Sequence, residues 1–389
     1  MTIDRKLIYI LNGYSEGDAS HFSHIIHLLD VMAEAGCEIR LVIEKPIGAL
    51  PVFSSSRISA VGLTARGRVL RQFQLFLLIS RLIREGYTKT FVRIAAPAAI
   101  IAALAHRLFG GDSYLWQSGT TYEHDWSQPR SLRKMRWWLT SFLPNWMARR
   151  LVTYFVTGPE SMVDYYHRVV GIPIGKIRLL YNDIDLQRFG SARSEEDRKR
   201  LLQQHEIPAD ATVLLLVHRL SPVRRTLMYL APFFDTIKAC TDIGPWVLIV
   251  AGGGSELAAA KALARERGVA DKVRFLGDVP NKKIADLYAV ADVFVHPTYT
   301  EGFPRVLIEA MASGLPIVST DAGGARELVG HRQSGFLTSK SDPQAFARVA
   351  ADLIRDRAEW PLLSTENRQH VERFSTPNVA AMYLRSIFS

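Results

Sequence analysis

Cysteine is almost absent: Cys37 and Cys240 are the only two in 389 residues. They lie far apart and form no metal-ligand spacing, which excludes a disulfide framework and a cysteine-based zinc module and fits a reducing compartment. Long apolar runs are also missing. The most apolar stretch, "IAAPAAIIAALA", contains Pro97 and is shorter than the ~20 residues a bilayer-spanning helix needs, so no transmembrane helix is expected. No secretory signal is expected either, because "RKLIYIL" follows the first residues almost at once and is bounded by the turn-like "NGYSEGD", as a first strand would be. There are no heptads, no solenoid period and no low-complexity tract, which excludes repeat architectures. Acidic residues are in deficit, 38 against 48 Lys and Arg, for a net charge of +10. That balance points to anionic partners: nucleic acid, phosphorylated small molecules or an acidic membrane surface.

What is present begins with how the basic charge is distributed. "RSLRKMRWWLTSFLPNWMARR" gathers Arg130, Arg133, Lys134 and Arg136 beside Trp137 and Trp138. Its apolar positions Leu132, Met135, Leu139, Phe142 and Trp146 follow near-helical spacing, so the stretch reads as a basic amphipathic helix. "RGRVLRQFQLFLLISRLIREG" is similar in kind. Each is either a membrane-surface helix or a core-packing helix with a solvated basic rim.

Short apolar, β-branched runs alternate with helical patterns in two series, which implies an α/β chain of two doubly wound, Rossmann-like domains, each a parallel sheet covered on both faces. The first series runs through "KLIYIL", "EIRLVIE", "TKTFVRI", "SYLWQ" and "TYFVTG"; the second starts at "ATVLLLVHRL" and continues through "WVLIVAGGG", "KVRFLGDV", "DVFVHP", "LPIVSTD" and "GFLT". The expected domains are 1–182 and 206–370, joined by a linker over 183–205, with a C-terminal helix over 371–389 returning to the first domain. Ligands of such folds bind at the carboxyl ends of the strands, in a cleft between facing domains.

"TEGFPRVLIEAMASG" carries two glutamates, Glu301 just before a helix that Pro304 would open and Gly314 would stop, and Glu309 inside it. Glu309 falls beside Val306, Leu307, Ala310 and Met311 on the core side, and a buried carboxylate needs a partner. Either Glu301 complements the helix dipole and Glu309 meets a structural arginine, or both face a ligand. "LLLVHRLSPVRRT" places Arg219, Arg224 and Arg225 directly after a strand, where a guanidinium cluster suits a diphosphate. With the helix start at 302–306 they make an anion site that needs no metal. "VLIVAGGGSELAAAKALARERG" offers backbone N–H groups at Gly253 and Gly254 to a phosphate, but lacks the G-x-G-x-x-G spacing and a clear acidic residue after the next strand for a dinucleotide. "NDID" resembles a metal-binding D-x-D without further carboxylates nearby.

Taken in order, "NDIDLQRF", "LIVAGGGS", "VRFLGDVP" and "ADVFVHPTYTEGFPRVLIEAMASGLPIVSTDAGGARELVGHRQSGFL" resemble the retaining GT-B glycosyltransferases of the glycosyl transferases group 1 superfamily, with the E-x7-E motif at Glu301 and Glu309. The resemblance covers nearly the whole second half; the first half is similar only in pattern. It implies that Glu309 accepts hydrogen bonds from the ribose of a sugar nucleotide and that Glu301 faces the transferred sugar. The backbone around Phe303, Arg305 and Val306 would then hold the diphosphate. Arg219 matches the family's arginine, and Arg225, or else Arg224, stands where its lysine is expected. His124 is the candidate for the histidine that the first domain contributes to the donor sugar, although the family position falls nearer Ser118 or Gly119. Gly13 takes the place of the glycine-rich first loop.

The resemblance further implies a retaining, metal-independent transfer of a sugar from a nucleotide diphosphate sugar to a hydroxyl acceptor, with no cofactor and no metal. The two basic, aromatic-rich stretches make the expected acceptor a lipid-linked glycan or cell-surface polysaccharide precursor. They also make the expected location cytoplasmic, on the inner face of the membrane and against its anionic surface. The rivals are a GT-B epimerase or hydrolase and, from a different class, a basic noncatalytic nucleic-acid binder. The aromatic residues form no recognisable RNA-binding motif, so no nucleic-acid partner is expected.

Overall fold

The computed structural model describes residues 5–15, 23–119, 137–190 and 194–389, and the chain divides into two units, Met1–Asp183 with Thr376–Ser389, and Ile184–Ser375. In the first unit the strands are β1 (Lys6–Leu11), β2 (Tyr14–Ser15), β3 (Glu38–Ile43), β4 (Pro46–Ile47), β5 (Ile58–Gly62), β6 (Lys89–Arg93), β7 (Asp112–Trp116), β8 (Tyr154–Thr157) and β9 (Ile177–Leu179). Seven of them form a parallel sheet in the order β5-β3-β1-β6-β7-β8-β9, and β2 pairs only with β4. The strand order reverses between β3 and β6 on either side of β1, which makes the carboxyl end of β1 and β6 this unit's switch point.

Register explains how the two faces of this sheet are covered. Tyr9 pairs with Phe91, Phe91 with Tyr114 and Tyr114 with Tyr154, so four aromatic rings line one face. Their centroids are 5.1, 6.2 and 5.0 Å apart in turn. The helix Thr376–Phe388 covers that row, Tyr383 lying 5.4 Å from Phe91, and it packs against the helix Ser23–Glu34. The opposite face, with Ile8, Ile10, Val92, Leu115 and Phe155, packs under the helices Arg68–Arg84, Ala96–Phe109 and Leu143–Leu151. The outer surface of Arg68–Arg84 is itself apolar: Val69, Leu70, Phe73 and Leu77 are exposed while Leu75, Ile79, Leu82 and Ile83 are buried. The helix therefore buries one side in the core and exposes Arg68, Arg81 and Arg84 together with a second, apolar side at the surface.

In the second unit β10 (Thr212–Val217), β11 (Trp246–Ala251), β12 (Val273–Gly277), β13 (Val293–His296), β14 (Ile317–Thr320) and β15 (Leu337–Thr338) form a parallel sheet in the order β12-β11-β10-β13-β14-β15. Every residue of β10 and β11 is buried, as central strands covered by helices on both faces must be, and this is why "TVLLLV" and "WVLIVA" read as unbroken apolar runs. The switch point lies where β10 meets β13.

Of the segment expected as a linker over 183–205, Asp183 closes the first unit and the remainder is part of the second. Leu186–Gly190 packs on the helix Arg305–Ala312, and Glu195–Gln204, capped by the Ser194 side chain on Asp197 N–H, packs on the helix Asn281–Val290. Its polar composition reflects the solvent faces of two short helices. Residues 371–375 likewise stay with the second unit, and the chain passes to the first at Thr376. "NDID" holds structure: Asn182 accepts from Arg93, and Asp183 accepts from Thr376 Oγ1 at 2.9 Å. Among the described residues no helix is long and apolar enough to cross a membrane.

Candidate active site

Two strands that meet at the second switch point each run into a histidine, His218 just past β10 and His296 at the end of β13. The rings lie 5.5 Å apart, edge to face, and both are buried. His218 contacts Thr226 Oγ1 through Nε2 at 2.8 Å. Neither ring nitrogen of His296 has a hydrogen-bond partner. Burial, reinforced by the nearby Arg224 guanidinium, pulls His296 down to about 3, and burial with the charges of His296 and Arg224 lowers His218 well below its ordinary value. Both rings are neutral at pH 7.

Above them sits Glu301. Its Oε1 pairs with Arg224 Nη1 and lies 3.6 Å from His296 Nε2. Burial lowers Arg224 to about 10, which leaves it charged and explains its hold on a carboxylate. By sequence Arg219, Arg224 and Arg225 are expected to form one diphosphate cluster; in the structure they diverge. Arg224 turns inward to Glu301, while Arg219 is exposed beside Gly254. Arg225 sits over the Tyr299 ring at 4.0 Å, where Lys340 Nζ also lies at 5.1 Å. The cause is the tight turn after β10: Arg224 N–H bonds Ser221 O, Arg225 N–H bonds Pro222 O, and Arg225 takes φ +50°, which points successive side chains apart.

The helix Arg305–Ala312 begins one residue later than its sequence suggests, with Pro304 as N-cap. It ends in a Schellman motif, Gly314 N–H bonding Met311 O and Leu315 N–H bonding Ala310 O, with Gly314 at φ +74°. Glu309 is largely covered on this helix. Tyr288 OH donates to its Oε2 at 3.0 Å, and Arg305 Nη2 lies 3.7 Å from Oε1. Burial and the Glu309 charge push the Tyr288 hydroxyl well above its usual range, so it stays a donor. Arg188, from the former linker, also feels the Glu309 charge and bonds Asn281 Oδ1 at 2.8 Å. Phe303 is buried edge-on to Phe374, so the helix start presents backbone, with Val306 O also accepting from Tyr288 at 3.3 Å.

The glycine turn after β11 serves packing. Gly253 N–H is bonded to Asp278 Oδ1 at 3.0 Å and Gly253 O accepts from Leu220 N–H at 2.8 Å, so this amide is not available to a phosphate. Asp278 does follow β12, but its carboxylate is engaged there. In the first unit Gly13 sits in the turn after β1, where a side chain would make only ordinary contact, 3.5 Å from Lys45 O. His124 lies outside the described residues, as do Arg130, Arg133, Lys134 and Arg136. Among the described residues no three His, Cys, Asp or Glu side chains come together as metal ligands.

No local sequence pattern marks Tyr288, Arg188 or Lys340 as part of this site, and His218 and His296 are not among the residues expected from the sequence. For the two histidines a signal existed, since "LLLVH" and "DVFVH" end adjacent strands in the same residue.

The two Rossmann-like units define the GT-B class of fold. Anabaena HepE, solved with UDP and glucose, is 18% identical with a TM-score of 0.71, covering 98% of this chain and 99% of that one. Sucrose-phosphate synthase of Thermosynechococcus elongatus is 20% identical with a TM-score of 0.76, covering 98% of each chain. Within that class, the second unit is similar to the glycosyl transferases group 1 family, whose model matches residues 197–372. D-inositol 3-phosphate glycosyltransferase of Thermobispora bispora is 30% identical over 241 residues, 60% of this chain and 54% of that protein. The enzyme of that name from Corynebacterium urealyticum is 33% identical over 211 residues, 53% and 49% of the two chains. The chain spans about half the length of the curated relatives it matches.

Proposed function

We propose that the protein is a retaining glycosyltransferase that moves a sugar from a nucleotide diphosphate sugar to a hydroxyl acceptor without a metal ion. The observation that carries the reading is the Glu301, Arg224 and His296 cluster at the carboxyl edge of β10 and β13, with Glu309 one helix turn below the start of Arg305–Ala312. In this reading the bond between the sugar's anomeric carbon and the diphosphate oxygen breaks with its electron pair on the diphosphate. The acceptor oxygen bonds the same face of that carbon and its proton passes to the departing phosphate. Arg219, Arg224, Arg225 and the backbone at 302–306 stabilise the growing negative charge. Glu301, drawn off Arg224 as the guanidinium turns to the diphosphate, faces the cationic sugar. Glu309 holds the ribose hydroxyls. His124 and Gly13 are proposed as the first unit's contacts to the donor.

The fold neighbour solved with UDP and glucose supports a uridine diphosphate sugar as the first donor to try. The acceptor is proposed to be a lipid-linked glycan precursor at the inner membrane surface, supported by the exposed apolar face of Arg68–Arg84. A second acceptor reading, a phosphorylated inositol, takes its support from the name of the relatives. The test is a thermal-shift panel of nucleoside diphosphates and sugar nucleotides, followed by transfer assays in excess EDTA. A ligand at 100 times its Kd stabilises by about 2.7 kcal/mol. Absence of any nucleotide shift, or an absolute requirement for divalent ions, overturns the reading.

A further inference from the structure

The helical layer of the first unit opposite the aromatic row carries a pocket of about 250 Å³, lined by Trp146, Arg149, Arg150, Ile172, Pro173 and Lys176 among others. Among the described residues none that lines it is acidic. Lys176 donates to Arg150 O at 2.8 Å, which holds its ammonium group beside a second cation at the C-terminal end of Leu143–Leu151. Burial lowers the Lys176 amine, and the positive charges of Arg107 and Arg150 lower it further; no carboxylate is among the charges that bear on it. Arg150 and Lys176, two like charges held together at a concave site, suit an anion.

The surroundings say what kind of anion. Arg150 lies 5.0 Å from the Trp146 ring, and that tryptophan is 42% exposed. Val169 and Ile174, on either side of the lining loop, are 66% and 55% exposed, and Leu108, next to Arg107, is 68% exposed. Farther along the same layer Arg84 lies over the Phe109 ring at 5.1 Å, beyond which comes the exposed apolar face of Arg68–Arg84. Cations set among exposed aliphatic side chains and a tryptophan match the border between lipid headgroups and acyl chains, not open water. The volume is below the roughly 300 Å³ at which pockets for whole small ligands begin, and suits a headgroup.

We propose that this pocket binds the phosphate headgroup of an anionic lipid, with Arg150 and Lys176 on the phosphate and Trp146 in the interfacial layer. The site is separate from the transfer chemistry, and rests on the proposed function only in its membrane part.

The test uses the full chain and vesicles of neutral phosphatidylcholine alone or with one third phosphatidylglycerol. The protein cosediments with the anionic vesicles at low salt and poorly with the neutral ones, and the Arg150→Glu, Lys176→Glu double variant loses at least tenfold in binding. A control reversing the exposed Lys261 and Arg265 of the second unit changes net charge equally and binds like the parent. Circular dichroism, and the thermal response to UDP where the parent has one, report folding, and both stay unchanged in the double variant. Equal binding by the folded double variant overturns the proposal, as does equal loss in the control or indifference of the parent to anionic lipid. Saturable stabilisation by inorganic phosphate or glycerol 3-phosphate, without vesicle binding, assigns the pocket to a soluble phosphate and overturns the lipid.

Discussion

Glu301 and Glu309 stand eight positions apart in sequence and occupy different chemistry. Glu309 is held by a neutral phenol and one arginine at 3.7 Å, a set that leaves a carboxylate oxygen able to accept from a ligand. Glu309→Gln should therefore fold normally and weaken nucleoside diphosphate binding by about 10- to 100-fold, the range of hydrogen bonds to a charged group, as read by calorimetry. Unchanged affinity would make its role structural. Glu301→Gln frees Arg224 from its carboxylate and should leave diphosphate binding intact while lowering turnover by about 10²- to 10³-fold. A variant with near-normal transfer removes Glu301 from the chemistry.

His296 gives a residue-level prediction about stability. Its folded value is depressed to about 3, so between the ordinary histidine range near 6.5 and pH 3 the unfolded chain binds a proton that the folded chain does not. Stability contributed by the neutral ring is complete above about pH 6.5 and is lost as pH falls, by about 1.4 kcal/mol per pH unit at most. His218 acts in the same direction. Urea midpoints of His296→Asn should fall less steeply than those of the parent between pH 7 and 4.5; parallel slopes would show that the ring is already protonated.

At the scale of elements, the β10 turn and the glycine turn after β11 form one packed unit. A Cβ on Gly252, at φ +153°, would lie 2.0 Å from His218 O, so Gly252→Ala must part the loop that carries His218 and Arg224 from the neighbouring turn. The expected loss is at least about 2 kcal/mol, measured by denaturant unfolding, together with a weaker response to nucleotide. A variant of parental stability would show that the two turns are not coupled. The glycines were legible in the sequence, but not their role. Gly253 looked like a phosphate cradle, and the pairing with Asp278 depends on where β12 ends beside β11, a relation between strands over twenty residues apart.

For the whole molecule, the last helix belongs to the unit that the chain left at Asp183. Tyr383 lies on Phe91 and accepts from Arg93 at 3.3 Å, and Tyr114 OH donates to Ile387 O at 3.2 Å. Removing 376–389 strips the aromatic face of the first sheet, so that unit should lose cooperative unfolding. Residues 184–375, with their own core, should unfold cooperatively as an isolated fragment. Two calorimetric scans decide this: a truncated chain that keeps both transitions would show the helix to be an ornament of the first unit.

Local patterns were enough for the strand runs, the α/β alternation, two domains and the glutamate-bearing helix, because apolar period and breaker residues act within a few positions. They also carried the likeness to group 1 glycosyltransferases, whose motif is contiguous at Glu301 to Glu309. Only the tertiary structure decided that the supposed linker brings Arg188 toward Glu309, and that Arg224 alone of three neighbouring arginines meets Glu301. It also decided that His218 and His296 lie edge to face beneath them. Those outcomes depend on strand order and on a left-handed residue in one turn, which bring together side chains distant in sequence and point adjacent ones apart. Neither is a property of a short window of residues.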